Sequence, residues 1–199
     1  MPRVLTEADV AGFRDRLCEA AEVLFAQSGP EAITMRQLAA ALGVSPMTPY
    51  RYFKDKDDIL AAVRASGFER FAEALETAYA STDDPIPRSM AVAEAYRHFA
   101  FEHPQTYKLM FDLNQPNQAD YPGLVAAAAR ARATMTQHVE GLAAGGVVSG
   151  DIERIGMMFW SSAHGAVVLE LAGKLPHGAS EFLVRELCTT LLKGLTAKA

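Results

Sequence analysis

Strand patterns, paired cysteines and long apolar runs are all scarce in this 199-residue sequence. No segment shows sustained period-two alternation with β-branched residues, which excludes a β-sheet fold. Cys18 and Cys188 lie far apart in amphipathic segments, so we expect buried or half-buried free thiols. No apolar run approaches about 18 residues, and the N-terminal stretch MPRVLTEADV has no apolar signal core. We therefore expect a cytoplasmic protein.

Motifs for catalysis and metal binding are also missing. The sequence contains no duplicated Glu-x-x-His pattern, no nucleophile elbow and no phosphate-binding loop. Glu94 and His98 are four residues apart and could ligate a metal, but one such pair is more typical of a helix surface. We predict no enzyme activity, no metal site and no cofactor. An all-α enzyme or metal carrier is the weakest alternative.

Basic charge is not in excess either. The net charge is −5, and residues 1–60 hold seven lysines and arginines against nine acidic residues. The remaining residues carry a net charge of −3. Because neither part is basic overall, binding to nucleic acid would have to depend on the local placement of charge.

Helix-forming residues dominate what is present, and half of the residues are apolar. Apolar positions repeat at spacings of three and four, which predicts an all-α protein of about nine helices. Turn-forming stretches such as STDDPIP and NQPNQADYPG separate the helices. The predicted helices cover residues 6–28, 34–42, 45–52, 56–80, 86–102, 105–113, 122–144, 151–173 and 179–196.

Several residues are suited to begin or end these helices. Side chains that can accept hydrogen bonds from the first turn of a helix precede three of them: Thr6 or Asp9 before the first, Thr34 before the second and Asp55 before the helix at 56–80. Gly43 is suited to the residue after a helix, because it adopts positive φ without strain.

Residues 34–52 predict a helix-turn-helix, because two short helices are joined by a Gly-Val-Ser turn. Leu38 and Val44 would form the small core between them, and Ala39 would allow the backbones to approach closely. The second helix then presents polar and aromatic side chains that suit phosphates and base edges. These are Thr48, Tyr50, Arg51 and Tyr52.

Two prolines lie in that second helix. If Ser45 is its N-cap, Pro46 takes the first helical position, where the missing N–H costs nothing. Pro49 would then be the fourth residue and would lose one hydrogen bond, to the carbonyl of Ser45. We predict a local distortion near the start of the helix rather than a break.

The run ITMRQLAAALGVSPMTPYRYFKDKDDIL resembles the DNA-binding segment of the TetR family of bacterial repressors. The resemblance covers about 28 residues in register, with one departure at Pro49, where the family usually carries leucine or another apolar residue. The residues that carry it are Thr34, Leu38, Ala39, Gly43, Val44, Ser45, Thr48, Tyr50, Tyr52, Phe53 and Lys56.

The resemblance implies a DNA-binding domain at residues 1–55. Met47, Thr48 and Arg51 would face base edges, Arg36 would reach a phosphate or a base, and Phe53 would pack in the core. Such proteins usually bind as dimers with recognition helices about 34 Å apart, which implies an inverted-repeat operator. The implied phosphate contacts are Thr34, Ser45, Tyr50, Tyr52 and Lys56.

Residues 56–199 would form a larger ligand-binding and dimerisation domain. Helices 151–173 and 179–196 carry apolar faces suited to a homodimer interface, and Gly165 would permit close helix approach. Trp160, His164 and Gly165 form a WxxxHG pattern that, with HPQTYKLMFDLNQP, resembles a ligand-domain subgroup of the family. The simpler interpretation of His164, which we favour over ligand contact, is a hydrogen-bonded interface histidine.

A pocket for a small, mainly apolar ligand is also predicted, because aromatic and methionine side chains are dense between residues 68 and 111. The simpler alternative is that these side chains fill the core. We therefore expect a repressor released from DNA by ligand, with a constitutive regulator or adaptor that binds no ligand as the alternative. The candidate pocket residues are Tyr96, Phe99, Tyr107, Met110, Phe111, Trp160 and His164.

Overall fold

The computed structural model describes residues 6–112 and 117–195, and every element in these ranges is helical. Residues 113–116, which the predictions placed at the end of HPQTYKLMFDLNQP and the start of NQPNQADYPG, lie outside the described residues, as does residue 196. The prediction of an all-α fold is confirmed. The α-helices are α1 (Glu7–Ser28), α2 (Met35–Ala41), α3 (Lys56–Tyr79), α4 (Pro85–Glu102), α5 (Pro104–Phe111), α6 (Pro122–Ala144), α7 (Ile152–Leu171) and α8 (Ala179–Leu195).

Three short 3-10 helices complete the described part of the chain, at Pro30–Ala32, Pro49–Arg51 and Gln118–Asp120. None of the described helices is both long and apolar enough to cross a membrane. Burial raises the pKa of the Cys18 and Cys188 thiols to about 11, and both are free, as predicted.

Local capping fixes where the first helices begin. Thr6 caps α1 and exchanges hydrogen bonds with Asp9, and Thr34 caps α2 in the same way with Gln37. Asp55 accepts the N–H of Asp58 at 2.9 Å at the start of α3. These bonds, reciprocal at Thr6 and Thr34, satisfy N–H groups that have no partner inside the helix, so the predicted caps at Thr6, Thr34 and Asp55 are confirmed.

The chain divides into two compact units. The first unit comprises Met1–Gly67 and Gln105–Ala127, and the second comprises Phe68–Pro104 and Ala128–Ala199. Helices α3 and α6 each contribute residues to both units. The functional boundary that we predicted between residues 55 and 56 concerns the DNA-binding role and stays a prediction.

The first unit has a core built around the helix-turn-helix, with one contribution from far along the chain. Leu109 of α5 is buried in this core. A Cβ on Gly67 would lie 2.9 Å from Thr106 Cγ2, so α3 and α5 are in close contact. The buried guanidinium of Arg64 donates to the Met110 carbonyl at 3.3 Å. The other core residues are Phe13, Leu17, Ala21, Phe25, Ile33, Met35, Leu38, Phe53, Ile59, Leu60 and Val63.

The second unit packs α4, α7 and α8 against one another. The face of α7 that carries Ile155, Phe159 and Val167 is buried, as its apolar periodicity predicts. A Cβ on Gly156 would lie only 3.0 Å from the Met135 carbonyl, so this glycine serves packing within the chain. Glu170 accepts the N–H groups of Gly178 and Ser180 at 2.6 Å each and so joins α7 to the start of α8.

Candidate nucleic-acid interface and ligand site

The turn after α2 has the geometry that the sequence predicts. Gly43 has a φ of 64° and donates its N–H to the Ala40 carbonyl at 3.0 Å. Val44 then donates to the Ala39 carbonyl, also at 3.0 Å. Leu38 and Ala39 are fully buried, and Val44 packs against the core. The turn therefore fixes the direction in which the chain enters the next segment.

That next segment is not the α-helix that we predicted for residues 45–52. It consists of turns followed by a 3-10 helix at Pro49–Arg51. The N–H of Thr48 bonds to the Ser45 carbonyl, and the N–H of Tyr52 to the Pro49 carbonyl, at 2.9 and 3.0 Å. Two prolines within four residues remove two N–H donors, and the tighter three-residue bonding replaces the α-helical pattern. We call residues 45–52 the reading segment.

Pro49 is buried, although it lies in the middle of the reading segment. It therefore fills the inward-facing position where the family usually has leucine or another apolar residue. Ser45 Oγ accepts the Met47 N–H at 3.3 Å within the preceding turn, but the N-cap of the 3-10 helix is Thr48, so the prediction of Ser45 as the helix N-cap is wrong. The prolines thus change the type of helix and keep an apolar contact with the core.

Most of the predicted DNA-contacting side chains lie at the surface. Thr48, Tyr52 and Lys56 are half-buried. The structure contains no nucleic acid, so the contacts themselves stay predictions. The exposed members are Thr34, Arg36, Ser45, Met47, Tyr50 and Arg51.

Tyr52 has a structural role besides its predicted phosphate contact. Its ring stacks on Phe13 of α1 with centroids 4.2 Å apart. Arg14 donates to the Tyr52 carbonyl and places its guanidinium 3.9 Å from the centre of the Phe53 ring. Arg14 was not among the predicted site residues, because nothing local in the sequence indicates that α1 holds the end of the reading segment.

Lys56 and Thr34 are also bonded within the protein. Lys56 Nζ donates to the Pro30 carbonyl at 2.7 Å. Thr34 Oγ1 donates to Gln37 Oε1 at 2.8 Å as part of its capping box. Any phosphate contact by Thr34 would therefore compete with the cap, whereas the Lys56 ammonium has further N–H groups to offer.

Three predicted ligand residues meet in the second unit. Trp160 Nε1 donates to the Tyr96 hydroxyl at 3.2 Å, and that hydroxyl lies 2.9 Å from Nδ1 of His164. Because the indole N–H only donates, the tyrosine oxygen accepts there and its own proton is available to His164. Burial lowers the pKa of His164, which keeps the imidazole neutral and able to accept it.

The remaining ligand candidates are distributed between the two units. Phe99 is buried in the second unit, edge-on to Phe71 with centroids 5.2 Å apart. Tyr107, Met110 and Phe111 belong to the first unit. Tyr107 and Met110 are buried there, which is also what simple core packing requires.

A small cavity of about 20 Å³ borders Tyr96 and Trp160. This is room for about one water molecule. His138, which we did not predict, lies on its wall and bonds through Nδ1 to Ser89 Oγ at 3.0 Å. Burial lowers the pKa of His138 to about 4, so it is neutral near pH 7. The lining residues are Val92, Ala93, Tyr96, Met135, His138, Phe159, Trp160, Ala163 and Cys188.

Glu94 and His98 each bond to another residue rather than to one another. Glu94 pairs with Arg97 at 2.8 Å, and His98 pairs with Glu102 at 3.0 Å. Across the described ranges, no three acidic, histidine or cysteine side chains are grouped so that they could hold a metal ion.

An exposed apolar face runs along α7, and Phe182 of α8 is also exposed. A Cβ added to Gly165 would meet nothing within 4 Å, so packing within the chain does not require glycine there. On α8, Val184 and Cys188 are buried inside the second unit, so that part of the apolar face of α8 packs within the chain. The exposed large side chains are Met157, Met158, Val168, Leu169, Leu171 and Phe182.

Two family models match the chain. The model for bacterial regulatory proteins of the tetR family matches residues 17–63, and the tetracyclin repressor-like C-terminal domain matches residues 89–192. The protein belongs to the TetR family. This TetR-family protein is therefore a transcriptional regulator with a helix-turn-helix DNA-binding domain, in a family of regulators rather than of enzymes.

Its relatives agree with this assignment. An uncharacterised HTH-type transcriptional regulator of Mycobacterium tuberculosis is 25% identical over 184 residues, 92% of this chain and 81% of that protein. A solved structure of a Rhodococcus sp. RHA1 protein of unknown function is 29% identical, with a TM-score of 0.82 over 92% of this chain and 95% of that one. The TetR-family regulator PfmR of Thermus thermophilus has the same fold, at 22% identity and a TM-score of 0.70 over 92% of this chain and all of that one.

Proposed function

We propose that this TetR-family regulator is a homodimeric repressor that binds an inverted-repeat operator and is released by a small, mainly apolar ligand. The observation that carries the proposal is the reading segment. It is exposed at Met47, Tyr50 and Arg51 while Pro49 and the ring of Tyr52 hold it to the core. Its DNA partner would place its action in the cytoplasm.

In this proposal the reading segment lies in the major groove. Arg51, Thr48 and Met47 contact base edges, and the flanking polar side chains contact phosphates. The first 60 residues carry no net positive charge, so non-specific affinity is modest and binding weakens strongly with salt. The flanking set comprises Thr34, Arg36, Ser45, Tyr50, Tyr52 and Lys56.

The exposed face of α7 and α8 supports the homodimer. A monomer rarely leaves so many large apolar side chains in one patch, and those of α7 recur at helical spacing on the side opposite its buried face. The open space around Gly165 would let a second copy of the helix approach closely. Two helices from each protomer would then form a four-helix interface.

The lining of the cavity beside Tyr96 supports a site for an uncharged ligand. None of the nine lining side chains is ionised near pH 7, since His138 is neutral there. A charged ligand would lose its hydration without gaining a partner, so an uncharged ligand with one hydrogen-bonding group fits best. Because the cavity holds about one water, binding requires the side chains around it to move.

Ligand would act by favouring a state with lower operator affinity. Helix α3 is suited to carry that change, because it begins beside the reading segment and contributes residues to both units. A constitutive regulator that binds no ligand is the second candidate, and the small size of the cavity favours it.

The experiment is operator binding by matched variants. Duplexes that bind the wild-type protein are selected from a random library, and their affinities are measured for wild type, Arg51→Ala and Lys54→Ala. We expect Arg51→Ala to lose about tenfold to a hundredfold, whereas Lys54→Ala loses far less. Equal affinities for wild type and Arg51→Ala would contradict the assignment of the reading segment.

The ligand is tested by thermal unfolding with a panel of uncharged aromatic and aliphatic compounds. We expect at least one compound to raise the melting temperature and release the operator. If no compound does either, the constitutive regulator is the better account.

A further inference from the structure

Met47 is the most exposed of the large apolar side chains that the structure describes, at 68%. It lies in the turn that opens the reading segment, next to Pro46 and two residues before Pro49. The Met47 side chain is too exposed to contribute to core packing, and exposing an apolar side chain to water is unfavourable. On a DNA-binding surface, Met47 would therefore be stabilised by contact with an apolar group of the DNA.

The backbone around Met47 is held in place. Its N–H donates to Ser45 Oγ, and the N–H of the next residue, Thr48, donates to the Ser45 carbonyl at 2.9 Å. The two prolines fix φ on either side of it, and buried Pro49 anchors the segment to the core. The side chain is thus presented from a rigid turn and loses little backbone freedom on binding.

The edges of base pairs in the major groove offer mainly hydrogen-bonding groups. The exception is the C5-methyl group of thymine, which is apolar and projects into the groove. A thioether on a flexible, unbranched side chain can cover such a methyl group and exclude water from it.

We infer that Met47 is a specificity-determining residue that contacts the C5-methyl group of one thymine in each operator half-site. This inference rests on the proposed placement of the reading segment in the major groove and goes beyond it by naming the base and the group that is read. Thr48 has a methyl group of its own and is the competing reader.

The test uses operator duplexes in which each thymine is replaced in turn by deoxyuridine, which lacks only the methyl group. The parent duplex is the tightest binder selected by the wild-type protein from random duplexes of about 30 base pairs, long enough for two half-sites. Affinities are measured for wild type, Met47→Ala, Met47→Leu and Thr48→Ser. Met47 is exposed and Thr48 is half-buried, and thermal unfolding checks that the variants remain folded.

We expect deoxyuridine at one position per half-site to weaken wild-type binding about fourfold, which corresponds to the burial of one methyl group. Met47→Ala should be insensitive to the substitution at that position, whereas Met47→Leu and Thr48→Ser should keep the wild-type sensitivity. Sensitivity that persists in Met47→Ala, or disappears only in Thr48→Ser, overturns the inference while operator binding itself stands. Failure to select any duplex overturns the proposed function, and this inference with it.

Discussion

Lys56 Nζ donates to the Pro30 carbonyl at 2.7 Å and so joins the first residue of α3 to the turn between α1 and α2. The bond is half-buried and charge-assisted, so we expect Lys56→Met to lower the free energy of unfolding by about 1 to 2 kcal/mol. Lys54→Met is the matched control, because that side chain is 88% exposed and its contact with Asp55 is 4.0 Å long. Urea unfolding of the two variants measures the difference, and equal losses would show that the bond contributes nothing.

Replacing Pro49 tests whether this proline sets the direction of the reading segment without being needed for folding. Leucine would restore the missing N–H and the usual family residue at a buried position, so we expect Pro49→Leu to stay folded. The restored donor would allow α-helical bonding in place of the 3-10 turn and would re-aim Thr48 and Arg51. We therefore predict altered operator affinity or preference, measured on a panel of duplexes. Identical binding across the panel would mean that Pro49 has no part in reading.

Buried His138 predicts a loss of stability on acidification. Its pKa is lowered from 6.5 to about 4 by burial, so between these values the unfolded chain binds a proton that the folded chain does not. The stability is complete above pH 6.5 and falls as the pH drops toward 4, by roughly 2 kcal/mol between pH 7 and pH 5. His164 shifts in the same direction.

The variant His138→Asn isolates this contribution, because its amide is placed to bond Ser89 much as Nδ1 does. Urea unfolding at pH 7 and pH 5 should show a smaller difference for the variant than for the wild-type protein. A difference as large as that of wild type would assign the acid sensitivity to other groups.

Leu169 tests the homodimer, because it lies on the exposed face of α7. A glutamate there would bury two like charges across a two-fold interface, so we expect Leu169→Glu to be monomeric in sedimentation velocity and to bind the operator weakly. Val23→Glu is the control, since Val23 is also exposed but lies on α1. A dimeric Leu169→Glu protein would rule out this face.

Features that depend on neighbouring residues could be predicted from the sequence, whereas contacts between residues far apart in the chain could not. Helix α6 begins at Pro122 and ends at Ala144, as predicted, because proline and glycine turns flank it. The reading segment differs, because the prolines favoured 3-10 bonding over the predicted α-helix and the burial of Pro49 is a tertiary contact that no local pattern shows. The WxxxHG pattern indicated Trp160 and His164, but their shared partner Tyr96 lies more than 60 residues away. His138 had no motif at all and is recognised only by its burial.

The central claim is that two copies of this chain read an inverted repeat with reading segments one helical turn apart. The most direct measurement is the stoichiometry and affinity of the complex with the selected operator, before and after insertion of about five base pairs, half a turn, between the half-sites. We predict two protomers on the parent duplex and a loss of at least about a hundredfold on insertion, because the second half-site then faces the opposite side of the DNA. A single bound protomer, or an affinity unchanged by the insertion, would contradict the account.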